Sequence, residues 1–110
     1  MGMDALATPW IANLTPESVE FSLTDSRGIT GNFQLRPGTI LQYTVGPQTI
    51  MKFALTRVSG KVQFYDQASL ERLRSRAGAP RDYLLILPDS VELVSKMEFK
   101  SRLAGFKREK

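Results

Sequence analysis

Six of the last fifteen side chains are basic (Lys96, Lys100, Arg102, Lys107, Arg108 and Lys110), against two acidic ones, Glu98 and Glu109. The residues before them carry nine basic and nine acidic side chains, so the net charge of +4 belongs entirely to this segment. Clustered cations contact anions: nucleic-acid phosphates, anionic lipid or an acidic protein. Lys96, Lys100, Arg102, Lys107 and Arg108 are therefore the candidate anion-binding residues. A solvated strand edge accounts for the same residues without a ligand, because lysine on an edge blocks unwanted pairing. Stacking on single-stranded nucleic acid needs interleaved aromatics. Here these are Phe99 and Phe106, and Phe99 falls on the expected core face.

Other chemistry is excluded by type. The chain has neither Cys nor His. Disulfides, thiolate nucleophiles, zinc fingers, iron–sulfur clusters, His- or Cys-held haem and His- or Cys-dependent triads are out. Gly60-Lys61 lacks the glycine spacing of a phosphate loop, and there is no Gly-x-Ser-x-Gly elbow or Asp-rich calcium loop. The nearest carboxylate pairs are Glu17 with Glu20 and Glu92 with Glu98, and Glu20, Glu92 and Glu98 fall on outward positions. No catalytic, metal or cofactor residue is assigned, and a non-enzyme is expected. A second cationic group, Arg72, Arg74, Arg76 and Arg81, is offset by Glu71 and Asp82 and reads as a solvated helix face.

These residues must sit on elements that the apolar spacing defines. Val19, Phe21 and Leu23 alternate with Glu20, Ser22 and Thr24, a half-buried strand. Asp25-Ser26-Arg27-Gly28 turns the chain, and Ile29, Phe33 and Leu35 continue the odd-numbered face, with Gly31 marking a bulge. Pro37-Gly38, Gly46-Pro47 and Ser59-Gly60 are further turns. Between them lie strands with inward Leu41, Tyr43 and Val45, then Met51, Phe53 and Leu55. Val62 and Phe64 set the next inner face and leave Tyr65 exposed. An earlier strand covers Trp10 to Leu14.

Asp66 caps a helix over 66–77 with Leu70, Leu73 and Ala77 on its apolar stripe and a Glu71–Arg74 pair across one turn. Tyr83–Leu87 is continuously apolar, as in a central strand covered on both faces. From Val91 to Phe99, apolar odd positions alternate with charged even ones, which predicts one long strand. No internal repeat stands out.

The stretch Asn13-Leu14-Thr15-Pro16-Glu17-Ser18-Val19-Glu20-Phe21-Ser22-Leu23, with Phe33-Gln34-Leu35-Arg36-Pro37-Gly38 and Tyr43, resembles small Ig-like sandwich modules of bacterial secreted proteins. The likeness covers about a third of the chain. It implies a fold and brings no site residues. The expected architecture is a mainly β, mostly antiparallel sandwich, Ig-like or similar, of seven or eight strands with one short α-helix near 66–77; the alternative is a partly open β-barrel. Residues 1–110 read as one domain, with 1–9 and 104–110 as flexible ends. No apolar run is long enough to span a membrane as a helix.

The expected function is a non-catalytic binding or assembly module for an unknown protein partner or a second copy, with strand 91–99 augmenting a partner sheet. The alternative is weak anion or nucleic-acid binding through segment 96–110. The resemblance favours a bacterial periplasmic or secreted setting over a cytoplasmic one.

Overall fold

The computed structural model describes residues 9–42, 50–77 and 83–108. The described residues form strands β1 (Trp10–Asn13), β2 (Val19–Asp25), β3 (Thr30–Leu35), β4 (Ile40–Gln42), β5 (Ile50–Thr56), β6 (Val62–Tyr65), β7 (Tyr83–Ile86) and β8 (Val91–Val94). They also form helices α1 (Gln67–Ala77) and α2 (Lys96–Arg108). The strands make two four-stranded sheets, ordered β4-β1-β7-β8 and β3-β2-β5-β6. This is the mainly β sandwich that the strand and turn spacing predicts, and the sheets do not close into a barrel. Pairing is antiparallel except between β1 and β7, which run parallel with Trp10 opposite Tyr83 and Asn13 opposite Ile86.

The core follows from which residues share a face. Ile11, Leu84 and Ile86 of the first sheet meet Phe21, Leu23, Phe53 and Leu55 of the second, and Leu70 and Leu73 of α1 close that layer. The opposite face of the first sheet presents Ala12, Tyr83 and Leu85 to Phe99, Leu103 and Phe106 of α2. The molecule is therefore three-layered, sheet–sheet–helix. β7 is buried on both faces, which is why its sequence is an unbroken apolar run.

Two hairpins share one closure. Gly60 N–H donates to Arg57 C=O at 2.8 Å and Arg57 N–H to Lys61 C=O at 2.9 Å. Gly60 has φ 92°, a conformation that glycine adopts without steric cost. The same bonds close 25–29, where the buried Asp25 carboxylate also accepts from Arg27 N–H at 2.9 Å and pairs with the Arg27 guanidinium at 2.6 Å. Helix α1 begins as expected, with Ser69 N–H donating to Asp66 Oδ1 at 2.9 Å. That backbone bond, then the Ser69 hydroxyl, and more weakly the Arg72 charge, hold the Asp66 carboxyl below its ordinary 3.8.

Several expectations are corrected. The predicted strand 91–99 stops at Val94, and 96–108 is helix. Ser95 caps it, its hydroxyl accepting from Glu98 N–H at 3.2 Å. Ser95-Lys96-Met97-Glu98 is a capping-box sequence, the signal that the two-residue alternation masked. Met97 is consequently solvent-facing rather than core. Residues 104–108 complete α2 instead of fraying, and Pro9 is buried.

In β6 the exposed residues are Val62 and Phe64, while Gln63 and Tyr65 are half-buried. Ile50, not Met51, is fully buried, because the β2–β5 register slips between Thr24 and Asp25. Gly31 pairs regularly with Leu23, so no bulge lies there; a Cβ at this position would sit 2.9 Å from the Phe33 ring that lies over it. Arg74 is not solvated: it pairs with Glu71 at 3.1 Å and donates to the Ile50 carbonyl. Tyr43, Val45, Gly46-Pro47, Arg81 and the proposed end 1–8 lie outside the described residues.

The structure also reveals a repeat. Pro16-Glu17-Ser18-Val19-Glu20-Phe21 and Pro88-Asp89-Ser90-Val91-Glu92-Leu93 share the pattern Pro-acid-Ser-Val-Glu-apolar. Each follows one member of the parallel β1–β7 pair.

Candidate functional site

α2 carries the candidate cations, and a helical turn of about 100° per residue sorts them. Lys96, Lys100 and Lys107 fall on one side within an arc of about 40°, and all three are exposed. Arg102 lies on the opposite flank, where it pairs with Glu98 at 3.2 Å and Glu92 of β8 at 3.5 Å. These are surface pairs, worth at most about 1 kcal/mol each. They nevertheless remove Arg102 from the anion-facing set. Arg108 closes α2, and its side chain lies outside the described residues. Three of the five candidates therefore form a column, with Leu103 between Lys100 and Lys107 packed toward the sheet. Because α2 is packed on the outer face of the first sheet, this column is held on a folded helix.

The carboxylate pairs resolve differently. Glu92 and Glu98 are brought together by Arg102 and act as its counter-ions. Glu20 stands on the outer face of β2, opposite Gln34 and Thr56. It borders an open groove of about 360 Å³ with Ser18, Gln34, Thr56 and Arg57, and among the described residues it is the one acid lining that groove. A single acid beside neutral polar groups offers no acid–base pair. Arg57 is nearly buried and tied down, donating to Gln63 Oε1 at 2.8 Å and to the Ser90 carbonyl at 3.3 Å. It thereby bolts the two sheets together at this end. Among the described residues no group of acidic side chains is arranged to hold a metal ion, and no helix is long and apolar enough to cross a membrane.

The sequence reading missed a second surface. Val58, Val62 and Phe64 are each more than 60% exposed (65%, 62% and 64%) and lie together on the β5–β6 hairpin. Among the described strands, β6 has a sheet neighbour on one side only. In an antiparallel ladder, bonded and non-bonded pairs alternate. Arg57 bonds Lys61, so Gln63 and Tyr65 are the next residues whose backbone groups point to β5. The N–H and C=O groups of Val62 and Phe64 point away from the sheet.

The edges formed by β3 and β8 differ. Outward positions of β3 are Thr30, Asn32 and Gln34, and β8 is packed against α1. The signal that could have located this surface was the hairpin itself. A three-residue loop over 58–60 makes odd positions oppose odd ones, so the inner odd face of β5 fixes Gln63 and Tyr65 inward.

No family model, no curated protein and no solved structure matches this chain.

Proposed function

We propose that the protein is a non-catalytic binding module that receives a protein segment in extended conformation along the β6 edge. One observation carries this reading: three large apolar side chains are exposed beside a row of outward backbone donors and acceptors. Natural sheets normally blunt such an edge with charge, proline or a covering element. An added strand would gain main-chain hydrogen bonds at Val62 and Phe64 and cover their side chains. The edge replaces strand 91–99 as the augmenting element, since Lys96 opens a helix.

The test is a displayed random-peptide library selected against the immobilised chain. Peptides alternating apolar and polar residues should be enriched. Their affinity should fall at least about tenfold for Val62→Pro, which deletes an outward donor at a strand's first residue, where proline is tolerated. Equal binding to wild type and Val62→Pro overturns the reading.

A second reading rests on the unpaired column Lys96, Lys100 and Lys107, which suits a polyanion. Three phosphate contacts predict a log–log salt slope of about −2.7 for duplex DNA, so affinity should drop roughly 40-fold between about 50 and 200 mM salt. Replacing all three lysines by alanine should abolish that dependence in a fluorescence-anisotropy titration. An unchanged slope in the triple variant sinks it.

A further inference from the structure

We infer that the occupant of the β6 edge is β6 of a second copy of this chain, paired antiparallel about a two-fold axis through Gln63. The inference rests on the reading of this edge as the docking surface and names its partner. Three features of the edge support a self-complementary pairing.

The first is hydrogen bonding. Only Val62 and Phe64 point their backbone groups outward, and they lie symmetrically about Gln63. Antiparallel pairing centred there sets Val62 of one copy opposite Phe64 of the other, twice, and both are bonded pairs. The second is the side-chain face. A two-fold axis normal to the sheet keeps the outer faces together, so the exposed Val62 and Phe64 of both copies merge into one apolar patch. The third is charge. β6 is flanked by Lys61 at its start and Asp66 at its end. Antiparallel pairing brings the lysine end of each copy beside the aspartate end of the other, whereas parallel pairing would set like charges together. The Asp66 carboxyl is held in its charged form by its bond to Ser69 N–H.

Access is open as well. After Asp66 the chain turns into α1, which packs against β8 and β5 and also touches β6, while Val62 and Phe64 stay exposed on the outer face. The product would be a continuous eight-stranded sheet made from two copies of β3-β2-β5-β6.

The absence of native cysteine makes the axis testable. Gln63→Cys places two sulfurs directly opposite each other at a non-bonded pair, where Cα atoms approach to about 4.5 Å. Lys61→Cys places them four residues apart along the strands, beyond disulfide reach. Mild oxidation of concentrated protein should give a reducible dimer with Gln63→Cys and none with Lys61→Cys. Sedimentation equilibrium of the wild type should show mass rising toward a dimer with concentration, and Val62→Pro and Phe64→Lys should stay monomeric with unchanged circular dichroism. A wild-type dimer that persists in both of those variants, or equal cross-linking at the two cysteine positions, overturns the inference. A wild type that stays monomeric at every concentration also overturns it. In that case peptide binding that Val62→Pro abolishes would leave the docking reading standing, and binding indifferent to Val62→Pro would remove both.

Discussion

Phe53→Ala is expected to cost about 4 kcal/mol of folding stability, while Phe64→Ala, eleven residues on, should stay within about 0.5 kcal/mol of wild type. Phe53 is fully buried and sits in a row of rings that crosses the whole inner face of the second sheet. Phe33 of β3 stacks on Phe21 of β2 with centroids 5.4 Å apart, Phe21 meets Phe53 of β5 at 5.1 Å, and Phe53 meets Tyr65 of β6 at 6.3 Å. Deleting the ring removes its transfer free energy, leaves a cavity and breaks ring contacts on both sides. For a domain this size the loss should lower Tm by roughly 20 °C. Phe64 is on the opposite face of the neighbouring strand and is 64% exposed. Urea denaturation followed by the single tryptophan, Trp10, measures both. A larger cost for Phe64→Ala than for Phe53→Ala would mean that β6 is turned over, with Val62 and Phe64 inside as hydropathy alone suggests.

That contrast shows what the sequence could and could not disclose. The existence of β1, β2, β3 and β5, the cap at Asp66 and the double burial of β7 were legible, because each is encoded within a few residues by alternation, turn chemistry or an apolar run. The phase of β6 was not. Its own residues, Val62-Gln63-Phe64-Tyr65, are apolar on one face and amphipathic on the other, and burial is decided by the pairing that the preceding loop imposes. α2 was misread for a related reason. Val91 and Leu93 are true strand positions, and the charged residues after them keep a two-residue rhythm across Ser95. The Ser95 cap marks where the helix can start, and packing of Phe99 on Trp10 and Tyr83, with Leu103 and Phe106 against the same cluster, selects it over the strand.

The candidate site divided along the same line. Lys96, Lys100 and Lys107 were visible as charges, but their alignment and the diversion of Arg102 to Glu92 depend on helical geometry. The β6 edge became visible only once strand order was known.

The repeated segment shows how little local sequence can fix a path. After β7, Leu87 N–H donates to Ser90 C=O at 2.9 Å, and the chain folds straight back as β8 beside β7. After β1 the same Pro-acid-Ser-Val-Glu-apolar pattern crosses instead to the second sheet as β2. Two differences separate the arms: the first has one extra residue, Thr15, and Asn13 stands where β7 has Ile86. Asn13 is fully buried and every polar atom of its side chain is engaged. Its Nδ2 donates to the carbonyls of Glu17 at 2.8 Å and Leu35 at 2.9 Å, and its Oδ1 accepts from Thr15 N–H at 2.9 Å. The amide thus secures the added residue and pins the crossing loop to the end of β3.

Asn13→Ala should therefore cost about 3 kcal/mol, because it leaves the buried Thr15 N–H without its acceptor and removes the amide donor from the Glu17 and Leu35 carbonyls. Asn13→Ile, which copies β7 and restores volume without polarity, should recover little of it. Chemical denaturation of both variants decides the point. If either stays within about 0.5 kcal/mol of wild type, the range of an ordinary surface change, the amide does not set the crossing and the extra residue alone must.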